Sequence, residues 1–312
     1  MTENAVYLRG VQKSFRTGFF IKKTQALSSV SLEIKKGEVF GYLGPNGSGK
    51  TTTLKLIMGI IFPDKGIIRV MNRPPGDIVV KESIGFLPES PYFYEYLTAR
   101  EFLDFYARLF ALSSRVRNER IGYLLKLVGL EKKSDIALRL YSKGMLQRVG
   151  LAQALINDPD LIILDEPMAG LDPLGRAEFK QIIHSLKSRG KTIIFSSHIL
   201  PDVEALADRV GIIINGSIRD VGKLDELLGK RVKSMEITVR GGDKTMVDQL
   251  SEYAALKRSV DDRYLFTVKK TDDVNKVIDI VRWFNARIET VEPIRVNLEE
   301  LFISEIKKDV SS

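Results

Sequence analysis

Gly44-Pro45-Asn46-Gly47-Ser48-Gly49-Lys50-Thr51 stands between an apolar run, residues 39–43, and a helical pattern that begins at Thr51 and continues to Met58. Few folds accommodate a buried strand, a glycine-rich loop and a helix in that order. The glycines let the backbone wrap around an anion with its N–H groups inward, and the helix N-terminus adds positive potential. Lys50 is then within reach of β- and γ-phosphates, and the Thr51 hydroxyl can ligate Mg²⁺. Pro45, Asn46, Ser48 and Thr52 complete the binding surface. The pattern predicts a nucleoside triphosphate held by its phosphates.

Four apolar runs predict a parallel sheet buried on both faces: residues 39–43, 161–164, 192–195 and 209–214. Helical patterns separate them, which makes the core α/β. Residues 90–155 read as a mostly helical insertion. In it, residues 101–110 put Phe102, Phe105, Tyr106 and Leu109 on one helical face, and residues 121–130 repeat the period. Beyond about residue 230 the texture changes. Residues 235–239 alternate as a strand, 245–255 read as a helix, and 256–260 and 264–268 as strands paired across Asp261-Asp262. A helix over 272–286 and a strand over 287–292 complete a βαββαβ order, the signature of a small ferredoxin-like domain. A last helix is expected over 298–306. The expected domains are therefore 1–228 and 229–312.

A chain of 312 residues, 44% hydrophobic, fills one large core plus a small second one. No stretch approaches the ~18 apolar residues that span a bilayer, and the first residues lack the basic and apolar regions of a secretion signal. The absence of cysteine excludes disulfides and thiolate metal sites and fits a reducing compartment. A cytoplasmic protein is expected. The charge of +8 lies wholly in residues 1–225, since basic and acidic residues cancel from residue 226 onward. Such a face serves nucleic acid, an anionic membrane or solvation alone. No arginine-rich tract or basic–aromatic platform is present, so no nucleic-acid partner is expected.

The run over 161–164 ends in Asp165-Glu166-Pro167. At the C-terminal edge of a parallel sheet both carboxylates face the crevice that holds the phosphate loop. Asp165 is placed for Mg²⁺, and Glu166 for polarising the water that attacks the γ-phosphate. Ser196-Ser197-His198 ends the next strand, from which His198 can bond the γ-phosphate. His184 reads as a helix-surface residue.

Together with Tyr141-Ser142-Lys143-Gly144-Met145-Leu146-Gln147-Arg148, these motifs make residues 1 to about 225 resemble the nucleotide-binding domain of an ABC transporter, a P-loop NTPase core. The resemblance implies an ATPase that uses ATP and Mg²⁺, pairs with an integral membrane permease, and closes head to tail on a second copy of itself. In it Ser142 and Gly144 meet the γ-phosphate held by the other copy, Asp172 of Ala169-Gly170-Leu171-Asp172 joins the two halves, and Phe15 stacks on adenine or is an ordinary core aromatic. Residues 17–23 resemble a local insertion beside it. The location implied is the cytoplasmic face of the membrane, attached through the permease.

Two segments depart from the family pattern. Glu89 stands where the family usually has Gln, at a position that touches Mg²⁺ and senses the membrane subunit; a carboxylate is also a hard oxygen ligand. Tyr141 and Lys143 replace the commoner Leu and Gly, and Lys143 adds a cation near a phosphate. These variants and the extra C-terminal domain resemble the branch that exports drugs, lipids or polysaccharides. Tyr92-Phe93-Tyr94 and Tyr96 have two readings, core packing under the insertion or the groove in which a permease helix docks. The alternative function is an ABC ATPase acting on ribosomes or DNA.

Overall fold

The computed structural model describes residues 3–17, 22–229, 232–295 and 302. The chain divides into two compact units, Met1–Lys223 and Leu224–Ser312. In the first, β1 (Asn4–Thr17) and β2 (Lys22–Lys35) form a long antiparallel pair, with β4 (Lys65–Val70) on the other side of β1. Between them in sequence come β3 (Val39–Leu43), the phosphate loop and α1 (Lys50–Ile57). After α2 (Ile78–Glu82), β5 (Ile84–Leu87) enters the main sheet. The helical insertion follows as α3 (Ala99–Leu109), α4 (Ser114–Leu127) and α5 (Lys143–Ala154). Then β6 (Leu161–Leu164), α6 (Pro173–Ser188), β7 (Thr192–Ser197), α7 (Leu200–Leu206), β8 (Arg209–Ile214) and β9 (Ser217–Lys223) finish the unit.

The main sheet has the order β5-β6-β7-β3-β8-β9, parallel from β5 to β8, with β9 antiparallel at the edge. All residues of β3, β6 and β7 are buried, as continuous apolar runs covered on both faces require. Phe40 and Tyr42 of β3, Leu54 of α1, Leu8 of β1 and Ile34 of β2 share one core. Each such side chain contributes about 1.5–3 kcal/mol by leaving water. That packing fixes the loop between β3 and α1 against both sheets.

The expected apolar face of α3 splits. Phe102 is buried against Phe93, ring centroids 5.3 Å apart, while Phe105 and Leu109 are exposed. Residues 121–130 do supply core, through Ile121, Leu124, Leu125, Val128 and Leu130.

In the second unit, α8 (Leu224–Gly229) precedes β10 (Val232–Arg240), α9 (Lys244–Leu250), β11 (Ala255–Val260), β12 (Arg263–Val268), α10 (Val274–Trp283) and β13 (Arg287–Arg295). The sheet order β11-β12-β10-β13, all antiparallel, is the βαββαβ arrangement read from sequence. Ile237, Val239, Met246, Phe266, Val277 and Val281 form its core. The helix expected over 245–255 is shorter, because a turn at Ser251 ends it and Ala255 already pairs with Thr267. The helix expected over 298–306 lies outside the described residues except for Phe302.

Candidate active site

Glycine opens the loop where other residues cannot. Gly49 precedes α1 at φ 106°, and a Cβ there would meet Leu27 Cδ2 at 2.6 Å and Ala26 O at 2.8 Å. The backbone N–H groups of Gly47, Gly49, Lys50, Thr51 and Thr52 have no protein acceptor among the described residues. Ser48 Oγ is likewise buried without a partner. The buried Ser48 hydroxyl left unpaired is costly, and with the open N–H groups beside it makes a cradle that fits an anion with several oxygens. Pro45, Asn46, Gly47, Gly49, Lys50, Thr51, Thr52, Glu89 and Glu166 line one cleft of about 290 Å³, and Gly44 begins the same loop.

The charged groups at its end are joined. Lys50 Nζ donates to Gly44 O at 2.7 Å and Pro45 O at 3.3 Å, and lies 3.1 Å from Glu166 Oε1. That last contact is an ion pair at a poor angle, since Oε1 accepts no hydrogen bond. Glu166 Oε2 lies 2.9 Å from His198 Nδ1. Glu166 is only 7% exposed and sits at φ 47°, a left-handed conformation that costs about 1–3 kcal/mol outside glycine.

Ser196 ties the carboxylates together. Its Oγ accepts from Glu166 N at 2.8 Å and donates to Asp165 Oδ1 at 2.6 Å. The parallel register Leu164↔Phe195 makes this contact, because the residues one step further, Asp165 and Ser196, become neighbours. The linear pattern assigns Ser196 no role. A polar residue at the buried C-terminal end of an apolar strand was the available signal.

No group of three or more His, Cys, Asp or Glu side chains gathers to hold a metal among the described residues. Thr51, Asp165 and Glu89 offer a hydroxyl and two carboxylates, too few for a closed protein cage. That set fits Mg²⁺, which keeps waters and takes phosphate oxygens.

The remaining candidates lie outside the cleft wall. Phe15 is 38% exposed on β1, its ring 5.6 Å from Lys13 Nζ. Ser142 caps α5 and accepts from Met145 N at 3.3 Å. A Cβ on Gly144 would meet only Leu171 Cδ2, at 3.8 Å, so nothing in its own chain demands glycine there. Asp172 caps α6, accepting from Gly175 N at 2.7 Å. His184 is exposed on α6. Of the aromatic cluster, Phe93 is core. Tyr92 and Tyr96 are exposed, and Tyr94 lies edge-on to Tyr92 and Phe105. Tyr94, Tyr96, Arg100, Asp104, Phe105 and Arg108 help line a groove of about 640 Å³.

Residues 27–169 match the family model described as ABC transporter. An ABC transporter ATP-binding protein of Synechocystis sp. is 43% identical over 308 residues, 98% of this chain and 85% of the relative. The Nod factor export ATP-binding protein I of Bradyrhizobium diazoefficiens is 36% identical over 254 residues, 81% of this chain and 80% of that one. Among solved structures, the ATP-binding cassette MJ0796, a dimer in a post-hydrolysis state with ADP and Pi, superposes with a TM-score of 0.64 at 28% identity, over 70% of this chain and 98% of the other. The chain belongs to the ATP-binding subunits of ABC transporters, ATPases that bind ATP with Mg²⁺.

Proposed function

We propose that this ATPase powers a separate integral membrane permease in the export direction, through closure of two copies head to tail on ATP. One observation carries the reading. The cleft ends in Lys50 and Glu166, with His198 bonded to Glu166 behind it, whereas Ser142 and Gly144, at the N-terminus of α5, lie outside the cleft wall of their own chain. A helix N-terminus with a capping hydroxyl suits a γ-phosphate, and a second copy can bring it there. The similarity to a Nod factor export protein supports the direction. Among the described residues no helix is long and apolar enough to cross a membrane, so the path for the cargo belongs to a partner. The tyrosine groove beside α3 is the proposed seat for a permease helix, which also attaches the subunit to the cytoplasmic face of the membrane.

The loop N–H groups and Ser48 Oγ take phosphate oxygens. Lys50, which rests on two loop carbonyls and Glu166, transfers to the β- and γ-phosphates and releases Glu166 Oε1. Glu166 then accepts the proton of the attacking water. His198 holds Glu166 through Oε2. Carboxylate and phosphate both accept, so bonding both at once requires a proton on each imidazole nitrogen. Thr51, Asp165 and Glu89 are the proposed holders of Mg²⁺, which when bound neutralises charge on the phosphates. Phe15 is the proposed adenine contact, and Asp172 the contact between copies.

Glu166→Gln keeps the side chain's shape and removes the base. Nucleotide binding is expected to persist, turnover to fall by about 10²–10⁴-fold, and the dimer to accumulate in ATP by size-exclusion chromatography. Normal phosphate release by this variant would refute Glu166 as the base.

A further inference from the structure

The two departures from the family pattern meet. A second cavity, of about 390 Å³, lies between the segment after β5 and the start of α5, and both Glu89 and Lys143 line it. Glu89 also lines the nucleotide cleft, so its carboxylate stands between two chambers. Lys143 is the first residue of α5, and its ammonium lies over Gly170, where a Cβ would clash with Nζ. The side chain thus runs along its own chain, and Lys143 is part of the cavity wall.

Two other charges line the same space, Glu95 and Arg139. The Arg139 backbone N–H donates to Glu95 O at 3.0 Å, which ties these two residues together through the main chain. None of the four has an ion pair or side-chain hydrogen bond among the described residues, and Glu89 and Lys143 are an opposite pair among them, one after β5 and one at the start of α5. A neutral Gln at position 89 needs no counter-charge, and a carboxylate benefits from one.

We infer that Lys143 is a positioning residue for Glu89: its ammonium pairs with the carboxylate across this cavity and competes with Mg²⁺ for it. The inference rests on the proposed placement of Glu89 at the metal. Glu89 turned toward Lys143 is withdrawn from the nucleotide cleft, and Glu89 turned toward the metal leaves Lys143 free. The metal dependence of nucleotide binding is therefore set within one chain, by a residue of the segment that serves the other copy's nucleotide. Both groups are exposed, so the pair is weak and screened by salt, with a Debye length of about 8 Å at physiological ionic strength.

The test is a Mg²⁺ titration of fluorescent ATP-analogue binding to the full chain at low salt, in a two-by-two set of variants. Lys143→Met should lower the Mg²⁺ midpoint by about 1.5- to 5-fold. Lys143→Arg should stay near wild type. In a Glu89→Gln background, Lys143→Met should change nothing. These shifts are read at protein concentrations below dimerisation, where Lys143 meets no nucleotide of another copy and only the pair within one chain can act. An equal shift in both backgrounds would overturn the inference, since the ammonium would then act on the nucleotide directly. An unmoved midpoint for Lys143→Met, beside a moved one for Glu89→Gln, would overturn it while leaving Glu89 at the metal. An unmoved midpoint for Glu89→Ala, which leaves no oxygen ligand, would remove Glu89 from the metal and the inference with it.

Discussion

Ser196 shows what a single buried hydroxyl does at this site. It satisfies the Glu166 N–H and one Asp165 oxygen, and Ser196 itself is fully buried, so no water replaces it easily. Ser196→Ala leaves a buried carboxylate oxygen and an N–H unpaired, next to a residue already held at φ 47°. The expected cost is about 1.5–3 kcal/mol in urea denaturation, with turnover reduced and the Mg²⁺ requirement raised. A variant with unchanged urea midpoint and turnover would remove Ser196 from the positioning of the two acids. Lys50, Asp165, Glu166 and His198 were legible in sequence because each lies at a strand end or in a loop whose conformation demands particular residues. Ser196 was not, because its role arises only from the register between β6 and β7, which a linear pattern does not encode.

At the scale of elements, legibility followed burial. The strands covered on both faces appear as unbroken apolar runs. β5 is four residues long and half-buried at alternate positions, and it gives no such run. β1 and β2 carry repeated register shifts that break their alternation. α3 is an element whose start is written in its sequence: Thr98 Oγ1 accepts from Glu101 N at 3.2 Å, and Glu101 Oε2 accepts from Thr98 N at 2.8 Å. Thr98→Ala should cost about 1 kcal/mol by loss of the cap, read as a lowered urea midpoint. The Glu101 carboxyl is held below its ordinary value by the Thr98 backbone N–H and then by the Thr98 hydroxyl. A depressed carboxyl contributes stability above its unfolded pKa of about 4.3, and that contribution is lost as pH falls through the folded value. The difference in urea midpoint between wild type and Glu101→Ala should therefore be present at neutral pH and shrink below about pH 4. A difference that stayed constant into acid would assign it to packing instead of the cap.

For the whole molecule, the decisive question is whether the cleft and residues 141–148, the signature segment at the start of α5, come from different copies to complete one site. Two variants separate the halves. Lys50→Ala removes the proposed phosphate ligand and leaves the start of α5 intact. Gly144→Asp keeps the loop and places a carboxylate on the face offered to a partner. Space in the chain itself permits that change, because the nearest atom to a new Cβ is Leu171 Cδ2 at 3.8 Å, and an acid near a helix N-terminus is favourable for folding. Each variant alone should fail to dimerise in ATP, since every site in its homodimer carries the same defect. In a mixed pair with two-fold pairing of loop to signature, one site collects both defects and the other is wholly wild type. A tag on one copy should then capture the other only when ATP is present and the two are mixed. With homodimers excluded by their own defects, complete pairing would leave about half of the sites wild type, which sets the scale for recovered phosphate release. If loop and signature segment served the same nucleotide within one chain, the mixed pair would hold two broken sites, and neither capture nor turnover would appear.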